Sequence, residues 1–313
     1  MPEGSFRIDK ALTNIAVEYA NSEYIFPRIL KDINVAQDSG KYFIYNNNFR
    51  IEETDRANGS PAKMATWNAS TSSYFVTEHA LKDVVTDEDV TNADNPFDLK
   101  ADSTRFLVDK IMMKQEYDVM KLMFTTTTWS NNATLVSETS WKYHTTTSVP
   151  IQNILSATGV ILKFTGLMPN ALVLGWTGFE ALKESPAIYD RIKYVERAMV
   201  TEGLLASLFD VENVYVGKAA YMAADEGQET TTSQTFIWGS DALLAYLAPN
   251  PGLAPKNRVS AAVMFRKATK GSPYRVKRWR EEDIEGEFIE VQTKCHAQAV
   301  ATTAAYLFKS IAL

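Results

Sequence analysis

"NPFDLKADSTRFLVDKIMMKQEYDVMKLMF", residues Asn95 to Phe124, is the longest regular element that the sequence predicts. Asn95 suits a helix N-cap, Pro96 the first helical position and Asp98 the first turn. No Gly or Pro interrupts the stretch, which predicts a helix about 40 Å long on which other layers pack. One face is marked by side chains that recur every three or four residues, at Phe97, Ala101, Thr104, Val108, Ile111, Gln115, Val119 and Leu122.

The segment before this helix predicts two extended stretches that enclose a long polar loop. Tyr42–Tyr45 favours a strand, and "SSYFVTEHALKDVVT", residues 72–86, returns as a second extended stretch. The loop from Asn46 to Met64 has turn chemistry and too few apolar side chains to fold onto its own core. Long loops of this kind are usually functional or held by a partner. We therefore predict that it makes contacts between subunits, through a charged cluster formed by Arg50, Glu52, Glu53, Asp55 and Arg56.

The pattern changes twice after the long helix. Residues 125–148 are rich in Thr, Ser and Asn, and they predict a surface connection or hairpin. Residues 150–254 alternate helical and extended patterns, which indicates a compact α/β unit. Three strands are predicted beyond a Pro/Gly-rich boundary at residues 248–258. In the last of them, Glu287–His296, alternation predicts one buried face that carries Val291, Thr293 and Cys295, and a wet face that carries Gln292, Lys294 and His296.

Composition excludes several classes of protein. The chain has 313 residues, of which 45% are hydrophobic, so it can bury a sizeable core. Its 38 acidic residues outnumber the 32 Lys and Arg residues, which gives a net charge of -6. That balance argues against a protein whose main task is to grip nucleic acid, although a wall that faces nucleic acid is compatible with it. A single cysteine excludes an internal disulfide framework. No apolar run has the length of a membrane span and no signal peptide is seen, so we expect a soluble chain made in a cytoplasm.

The titratable residues show no catalytic or metal-binding pattern. His79, His144 and His296 are far apart, and none has the spacing of a metal-ligand motif. Cys295 and His296 are adjacent, but neighbouring residues on a strand point to opposite faces, so we expect a core thiol and an exposed imidazole.

Three loop motifs also fail. The acidic stretch from Asp87 to Asp98 lacks the Gly and the final Glu of a calcium-binding loop, so its carboxylates are predicted to solvate a surface and cap the long helix. "TKGSPY", residues 269–274, lacks phosphate-loop spacing. The strand–turn–helix at "GWTGFEAL", residues 175–182, carries no nucleophile and no second phosphate-approaching glycine, so we interpret it as architecture. We predict no catalytic residue, no cofactor and no metal.

The ordered set of these stretches resembles the tailed-bacteriophage major capsid proteins of the Hong Kong phage type. Each motif alone is weak, but they follow one another in the family's order over nearly the whole chain. The stretches that carry the resemblance are "YIFPRI", "SGKYFIY", "FRIEETDRANGSPA", "VTDEDVTNADNPFDL", "PNALVLGWTGFEALKESPAIYDRIKY", "LLASLFDVENVYVGKAAY" and "FIWGSDALLAYL".

The resemblance implies an α+β phage major-capsid fold of four parts. In this numbering they are an N-terminal arm at 1–38, an extended loop hairpin at 39–80, a peripheral domain at 81–149 and 255–313 with a spine helix over about 96–124, and an axial α/β domain at 150–254. Some members cross-link subunits through Lys and Asn. Lys41 and Lys63 lie in the loop region, but nothing marks either as reactive.

The resemblance also implies a function and a set of partners. It implies a structural subunit, not an enzyme, that assembles with itself as hexamers and pentamers into an icosahedral shell around double-stranded DNA. The DNA contact is expected to be non-specific. Further expected partners are a separate scaffolding protein, a portal and a decoration protein, and no membrane. The expected location is the virion, after assembly in the host cytoplasm.

Two alternatives stay open at this point. An encapsulin-like nanocompartment shell has the same fold but encloses enzyme cargo in place of DNA. An enzyme of unknown type is the other, although the motif search supplies no set of residues for it.

Overall fold

The computed structural model describes most of the chain. The described residues are 7–8, 24–45, 51, 54–62, 64, 69–92, 98–142, 148–192, 200–224, 234–252, 260–268 and 272–312. The helices are α1 (Phe26–Ile29), α2 (Asp87–Asn92), α3 (Leu99–Met123), α4 (Pro150–Thr165), α5 (Trp176–Glu184), α6 (Pro186–Ile192) and α7 (Glu202–Phe209). The strands are β1 (Arg7–Ile8), β2 (Asp32–Asn34), β3 (Ser39–Tyr45), β4 (Ala69–Phe75), β5 (Thr77–Thr86), β6 (Asn131–Thr134), β7 (Ala171–Gly175), β8 (Asn213–Gly217), β9 (Ala220–Met222), β10 (Gln234–Phe236), β11 (Ala242–Ala245), β12 (Ala262–Arg266), β13 (Arg275–Glu281), β14 (Gly286–Ala299) and β15 (Ala305–Lys309).

The predicted long helix is α3, which at 25 residues spans about 37 Å at 1.5 Å per residue. It starts later than predicted, because its N-cap is Asp98 and not Asn95. The Asp98 carboxylate accepts hydrogen bonds from the backbone N–H groups of Lys100 and Ala101, both at 3.2 Å, which satisfies donors that the first turn leaves free. Residues 93–97, including Asn95, Pro96 and Phe97, lie outside the described ranges. The predicted face is confirmed at Ala101, Thr104, Val108, Ile111, Gln115 and Val119, which are buried, and Leu122 is half-buried.

A six-stranded sheet packs against α3. Its order is β1-β13-β14-β12-β2, and β5 pairs with β14 along residues 286–295. The long strand β14 pairs with β13 in its first half and with β12 in its second half. The predicted burial of Val291, Thr293 and Cys295 is confirmed, but Gln292 is buried as well and not wet. Gln292 lies in the middle of the sheet, between Arg275 of β13 and Ala80 of β5, so neighbours on both sides cover it.

The buried face of α3 also contains a carboxylate that the hydrophobic pattern did not predict. Glu116 is fully buried, and its Oε1 and Oε2 accept hydrogen bonds from the backbone N–H groups of Ile25 (3.2 Å) and Phe26 (2.9 Å). The indole Nε1 of Trp238 donates to Oε1 as well. Burial raises the pKa of Glu116 above its ordinary value, and the hydrogen bonds from Trp238, Phe26 and Ile25 oppose that rise. One side chain thus joins α1, α3 and the segment before β11.

A five-stranded sheet forms the second layer, in the order β6-β15-β11-β7-β8. One of its faces contributes Val173, Leu243 and Leu307 to the core shared with α3, and the other contributes Leu172 and Leu244 to a core with α4–α7. The strands β6 and β15 lie outside the predicted axial segment of 150–254, yet they belong to the same sheet as its strands. The domain boundaries themselves stay a prediction.

The segment 125–148 is more than the predicted surface connection or hairpin. Its strand β6 pairs in parallel with β15, so it forms the edge of the five-stranded sheet. Trp129 and Trp141 of the same segment are buried, and the indole N–H of Trp129 donates to the carbonyl of Met123 at 2.7 Å. Burial of two indoles explains why this Thr-rich segment is held against the core.

The strands β3 and β4 form an antiparallel hairpin whose register runs from Ser39 opposite Phe75 to Tyr45 opposite Ala69. Its base is anchored by the buried rings of Tyr42 and Tyr74. Their centroids lie 5.6 Å and 4.8 Å from the ring of Phe265 on β12. The base of the hairpin is therefore attached to the six-stranded sheet. At the opposite end of the hairpin, the predicted loop joins β3 to β4.

The turn between β7 and α5 is closed by close packing. A Cβ atom added to Gly175 would lie 1.7 Å from the carbonyl oxygen of Gly239 and 2.3 Å from that of Trp238. Only glycine lets the two backbone segments approach this closely. The backbone of the turn therefore packs directly against the segment of Trp238 and Gly239, which agrees with the interpretation of this strand–turn–helix as architecture.

The first testable prediction concerns Glu116. Glu116→Gln replaces one of the two carboxylate oxygens by an NH₂ group, which cannot accept a hydrogen bond. Because both oxygens accept from N–H donors, at least one buried donor loses its acceptor. We expect the free energy of unfolding to fall by about 1–3 kcal/mol in urea titrations. The control Glu180→Gln changes an exposed carboxylate and should stay within about 0.5 kcal/mol. Equal stability of the Glu116 variant and the control would contradict the assigned hydrogen bonds.

The second prediction concerns the turn at Gly175. Because an added methyl group would overlap backbone atoms that cannot rotate away, Gly175→Ala should lower the free energy of unfolding by at least about 2 kcal/mol. Gly203→Ala is the matched control, since nothing lies within 4 Å of an added Cβ there and the position is helical. That control should raise stability by about 0.5–1 kcal/mol. The difference in thermal unfolding between the two variants is the measurement, and similar melting curves would show that the turn is open.

Candidate assembly surface

The cysteine and the histidine next to it occupy ordinary positions on a strand. Cys295 is buried, and burial raises the pKa of its thiol to about 11, so the thiol is protonated at neutral pH. Its neighbour His296 is exposed, as expected from strand geometry, and partial desolvation lowers the pKa of its imidazole. His144 lies outside the described ranges. Within those ranges no three His, Cys, Asp or Glu residues are grouped so that they could hold a metal ion.

Three carboxylates of the acidic stretch 87–98, those of Asp87, Asp89 and Asp98, have partners in the protein. Asp87 forms an ion pair with Arg280 at 2.6 Å, which lowers the pKa of Asp87. Asp89 accepts a hydrogen bond from the hydroxyl of Thr86 at 2.6 Å, and Asp98 caps α3. This arrangement agrees with the expectation that these residues solvate a surface and cap the helix.

The predicted inter-subunit cluster lies beyond the tip of the β3–β4 hairpin. Of its five residues, Asp55 and Arg56 are described, and both are exposed; Arg50, Glu52 and Glu53 lie outside the described ranges, as does Lys63. Asp55 and Arg56 form no ion pair within the described part of the chain. Both side chains therefore lie on a surface of the described part of the chain, and the inter-subunit role of the five residues stays a prediction.

The loop also contains a local turn. The backbone N–H and the side-chain hydroxyl of Ser60 both donate to the carbonyl of Ala57, at 3.1 Å and 2.9 Å. Gly59 has a φ of 84°, a conformation that side chains rarely adopt, so its glycine fits the turn. The described residues 54–59 are all exposed. This part of the loop has local structure but no core of its own.

The hairpin and its loop also expose large apolar side chains, which the sequence reading missed. Ile51 is 96% exposed, Met64 91%, Phe75 63% and Phe43 55%. Phe43 and Phe75 occupy odd-numbered positions of the paired strands, so they share the face opposite to the buried rings of the hairpin base. The run Tyr42–Tyr45 predicted a strand, but four consecutive aromatic or aliphatic residues do not show which face is covered. Exposed large apolar side chains on a two-stranded hairpin make this face a candidate for a protein–protein contact.

A second exposed apolar surface lies on α4 and the residues after it. Leu155 and Leu162 are seven residues apart and therefore share one side of the helix, and Phe164 and Met168 follow near its end. All four are more than two-fifths exposed. No helix in the described ranges is both long and apolar enough to cross a membrane. Both apolar surfaces are thus candidates for contacts with other protein chains.

Comparison with known proteins extends over nearly the whole chain. No protein-family model matches it. The major capsid protein of Burkholderia phage BcepMu is 25% identical over 306 residues, which cover 97% of this chain and 96% of that one. The major capsid protein of Pseudomonas phage JBD67 is 26% identical over 252 residues, or 79% of each chain.

Solved structures show the same fold. A phage-related protein of Bordetella bronchiseptica RB50 superposes with a TM-score of 0.78 at 22% identity, and the match covers 99% of both chains. The capsid protein of cyanophage P-SCSP1u gives a TM-score of 0.61 at 10% identity, over 90% of this chain and 86% of that one. The encapsulin SrpI of Synechococcus elongatus PCC 7942 gives 0.52 at 10% identity, over 94% and 90%. The resemblance to tailed-phage major capsid proteins is therefore confirmed; the chain has their α+β fold, and the relatives indicate a structural protein and not an enzyme.

Proposed function

We propose that this chain is the major subunit of a bacteriophage head, and that it assembles as hexamers and pentamers into an icosahedral shell around double-stranded DNA. The observation that carries the proposal is the similarity to two curated major capsid proteins, one of them along 97% of the chain. The capsid fold and the exposed apolar surfaces of the hairpin and α4 support it, because both surfaces need a partner to be covered.

In the proposed assembly, the β3–β4 hairpin and its loop lie on a neighbouring subunit. Phe43 and Phe75 supply the apolar contact, and Arg50, Glu52, Glu53, Asp55 and Arg56 supply charges at its margin. Exposed ion pairs contribute only about 0–1 kcal/mol each, so in one monomer they would stabilise little. Every subunit of a closed ring makes the same contact, and small contributions then sum over the assembly.

The proposed parts of the subunit follow the family's architecture. The arm (1–38), extended loop (39–80), peripheral part (81–149 and 255–313) and axial part (150–254) are those that the resemblance implies. The five-stranded sheet supports one adjustment, since β6 and β15 extend the axial part with strands from the peripheral segments. In this arrangement α3 is the spine on which both parts pack.

The proposed contact with DNA is non-specific. A net charge of -6 favours a wall that does not hold the phosphate backbone tightly, so packaged DNA can slide and leave. A separate scaffolding protein, a portal and a decoration protein are the proposed partners in the virion, with assembly in the host cytoplasm.

The second candidate is an encapsulin-like shell that encloses enzyme cargo. The similarity to an encapsulin at a TM-score of 0.52 supports the shared fold. The curated relatives, which are named major capsid proteins, favour the phage shell. The contents of the particle distinguish the two, since a phage head takes up double-stranded DNA and a nanocompartment takes up protein.

Assembly is directly testable. The purified chain, alone and co-expressed with its neighbouring genes, should form closed shells in electron micrographs and sediment far above the 35.0 kDa of a monomer. Particles from infected or induced host cells should contain DNA. A monodisperse monomer at all concentrations, with scaffolding protein present, would contradict the proposal.

The loop supplies a second test of assembly. Replacing residues 47–62 by a short Gly-Ser turn should leave the circular dichroism nearly unchanged and abolish shells, because the loop has no core of its own. Exchanging Asp55 and Arg56 with each other keeps composition and net charge, and it should lower assembly only if these charges meet fixed partners. Normal shells from the shortened chain would remove the loop from the mechanism, and an unfolded product would place it in the subunit's own core.

A further inference from the structure

A cavity of about 560 Å³ lies between α3 and the six-stranded sheet, and the proposed shell contacts do not use it. Its lining includes Thr77 at the start of β5, Gln115 and Lys121 of α3, and Cys295 and Ala297 of β14. The volume is within the ~300–1,000 Å³ range of ligand sites. The cavity therefore has room for a segment of another molecule.

One wall of the cavity is an unpaired sheet edge. Cys295 pairs with both Arg266 of β12 and Thr77 of β5, so these two strands lie on opposite edges of β14. The carbonyl of Lys294 accepts from Lys267 N at 3.0 Å, on the β12 side. Backbone polar groups alternate along a strand, so those of Ala297 point to the other edge.

Among the described strands, none reaches Ala297 on that edge. The pairing of β5 ends at Thr77, and the preceding residue, Val76, donates its backbone N–H to the carbonyl of Asp38 at 2.8 Å, which directs the chain into the hairpin. In the described part of the chain, the N–H and C=O of Ala297 therefore have no strand partner. These two backbone groups are therefore available to pair with one residue of an additional strand at the wall of the cavity.

The opposite wall contains a second unsatisfied donor and acceptor. Gln115 is 2% exposed, and among the described residues neither its amide nitrogen nor its amide oxygen has a hydrogen-bond partner. Buried amides are almost always paired, because an unpaired one loses its hydration without compensation. A peptide group, with one donor and one acceptor, is the complement of this side chain.

The charges around the cavity are positive in sum. Lys114 is paired with Asp118 at 2.6 Å, whereas Lys121 forms no ion pair with any described residue. The other titratable groups in the lining are His79, His296 and the buried thiol of Cys295. Burial lowers the pKa of His296, which leaves its imidazole neutral at pH 7. The lining thus offers one unpaired cation, Lys121, to an anionic group.

We infer that this cavity binds an extended, acidic segment of another polypeptide, which adds a strand to β14 at Ala297, pairs a peptide group with the Gln115 amide and places a carboxylate near Lys121. An added strand would pair the N–H and C=O groups of Ala297. In this mode of binding, main-chain hydrogen bonds supply affinity and side-chain contacts supply specificity. The inference goes beyond shell formation and does not depend on it.

The test uses a fluorescein-labelled, amidated pentapeptide of alternating valine and threonine with one central glutamate, and a twin with glutamine at the centre. Fluorescence anisotropy with the full-length chain should show at least tenfold tighter binding of the acidic peptide at low salt. Gln115→Leu should weaken that binding at least tenfold, whereas Gln292→Leu, which changes a buried amide outside the cavity, should not. Lys121→Gln should remove the preference for the acidic twin, and Lys163→Gln on α4 should keep it.

Hydrogen exchange of the unmodified chain gives a readout that needs no variant. The backbone amide of Ala297 should gain protection when the acidic peptide is added. Binding of neither peptide, equal binding by the Gln115 and Gln292 variants, or no added protection would each overturn the inference. Displacement by free glutamate as effective as by unlabelled peptide would show a simple anion site and overturn it too. Shells without peptide binding would refute this inference alone, and peptide binding without shells would refute only the proposed function.

Discussion

The buried carboxylate of Glu116 holds three distant parts of the chain together inside the core. It lies on the core face of α3 and accepts N–H groups from Ile25, Phe26 and Trp238, which come from parts of the chain far apart in sequence. A carboxylate without access to water is tolerated only where donors replace its hydration. Trp238 can reach it because position 217 is a glycine, where an added Cβ would lie 2.1 Å from the indole Cδ1.

A second set of hydrogen bonds joins the C-terminus of the same helix to the five-stranded sheet. The ammonium group of Lys309 on β15 donates to the carboxylate of Asp241. It also donates, at 3.2 Å, to the backbone carbonyl of Phe124, which is the C-cap of α3. The backbone N–H of Ser310 donates to Asp241 at 2.8 Å. Because α3 is bonded near its middle and at its C-terminus, the two sheets pack through one shared core around it.

Features that depend on local periodicity could be predicted from the sequence. Features that depend on contacts between distant segments could not. The face of α3 followed from spacing alone, but Asn95 and Asp98 are equally good caps by residue type, so the start of the helix could not be chosen. Glu116 was missed because its donors lie 90 to 122 residues away. For the candidate surface, composition alone predicted a charged loop. The exposure of Phe43 and Phe75 could not be predicted, because it depends on which face of the hairpin packs on Phe265.

Unpaired strand edges and exposed apolar side chains both affect whether a chain associates in an ordered way or aggregates. An open strand edge and exposed apolar rings both promote uncontrolled association. The unpaired edge of β14 beyond Cys295 is short and lies at the wall of a cavity beside α3, whereas β5 and the two hairpin strands each pair on one side only in the described part of the chain. The rings of Phe43 and Phe75 are held on a narrow two-stranded hairpin whose intervening positions are polar. As proposed, the edge of β14 takes up one extended segment and the hairpin face contacts one neighbouring subunit, and both contacts would cover surface that otherwise promotes aggregation.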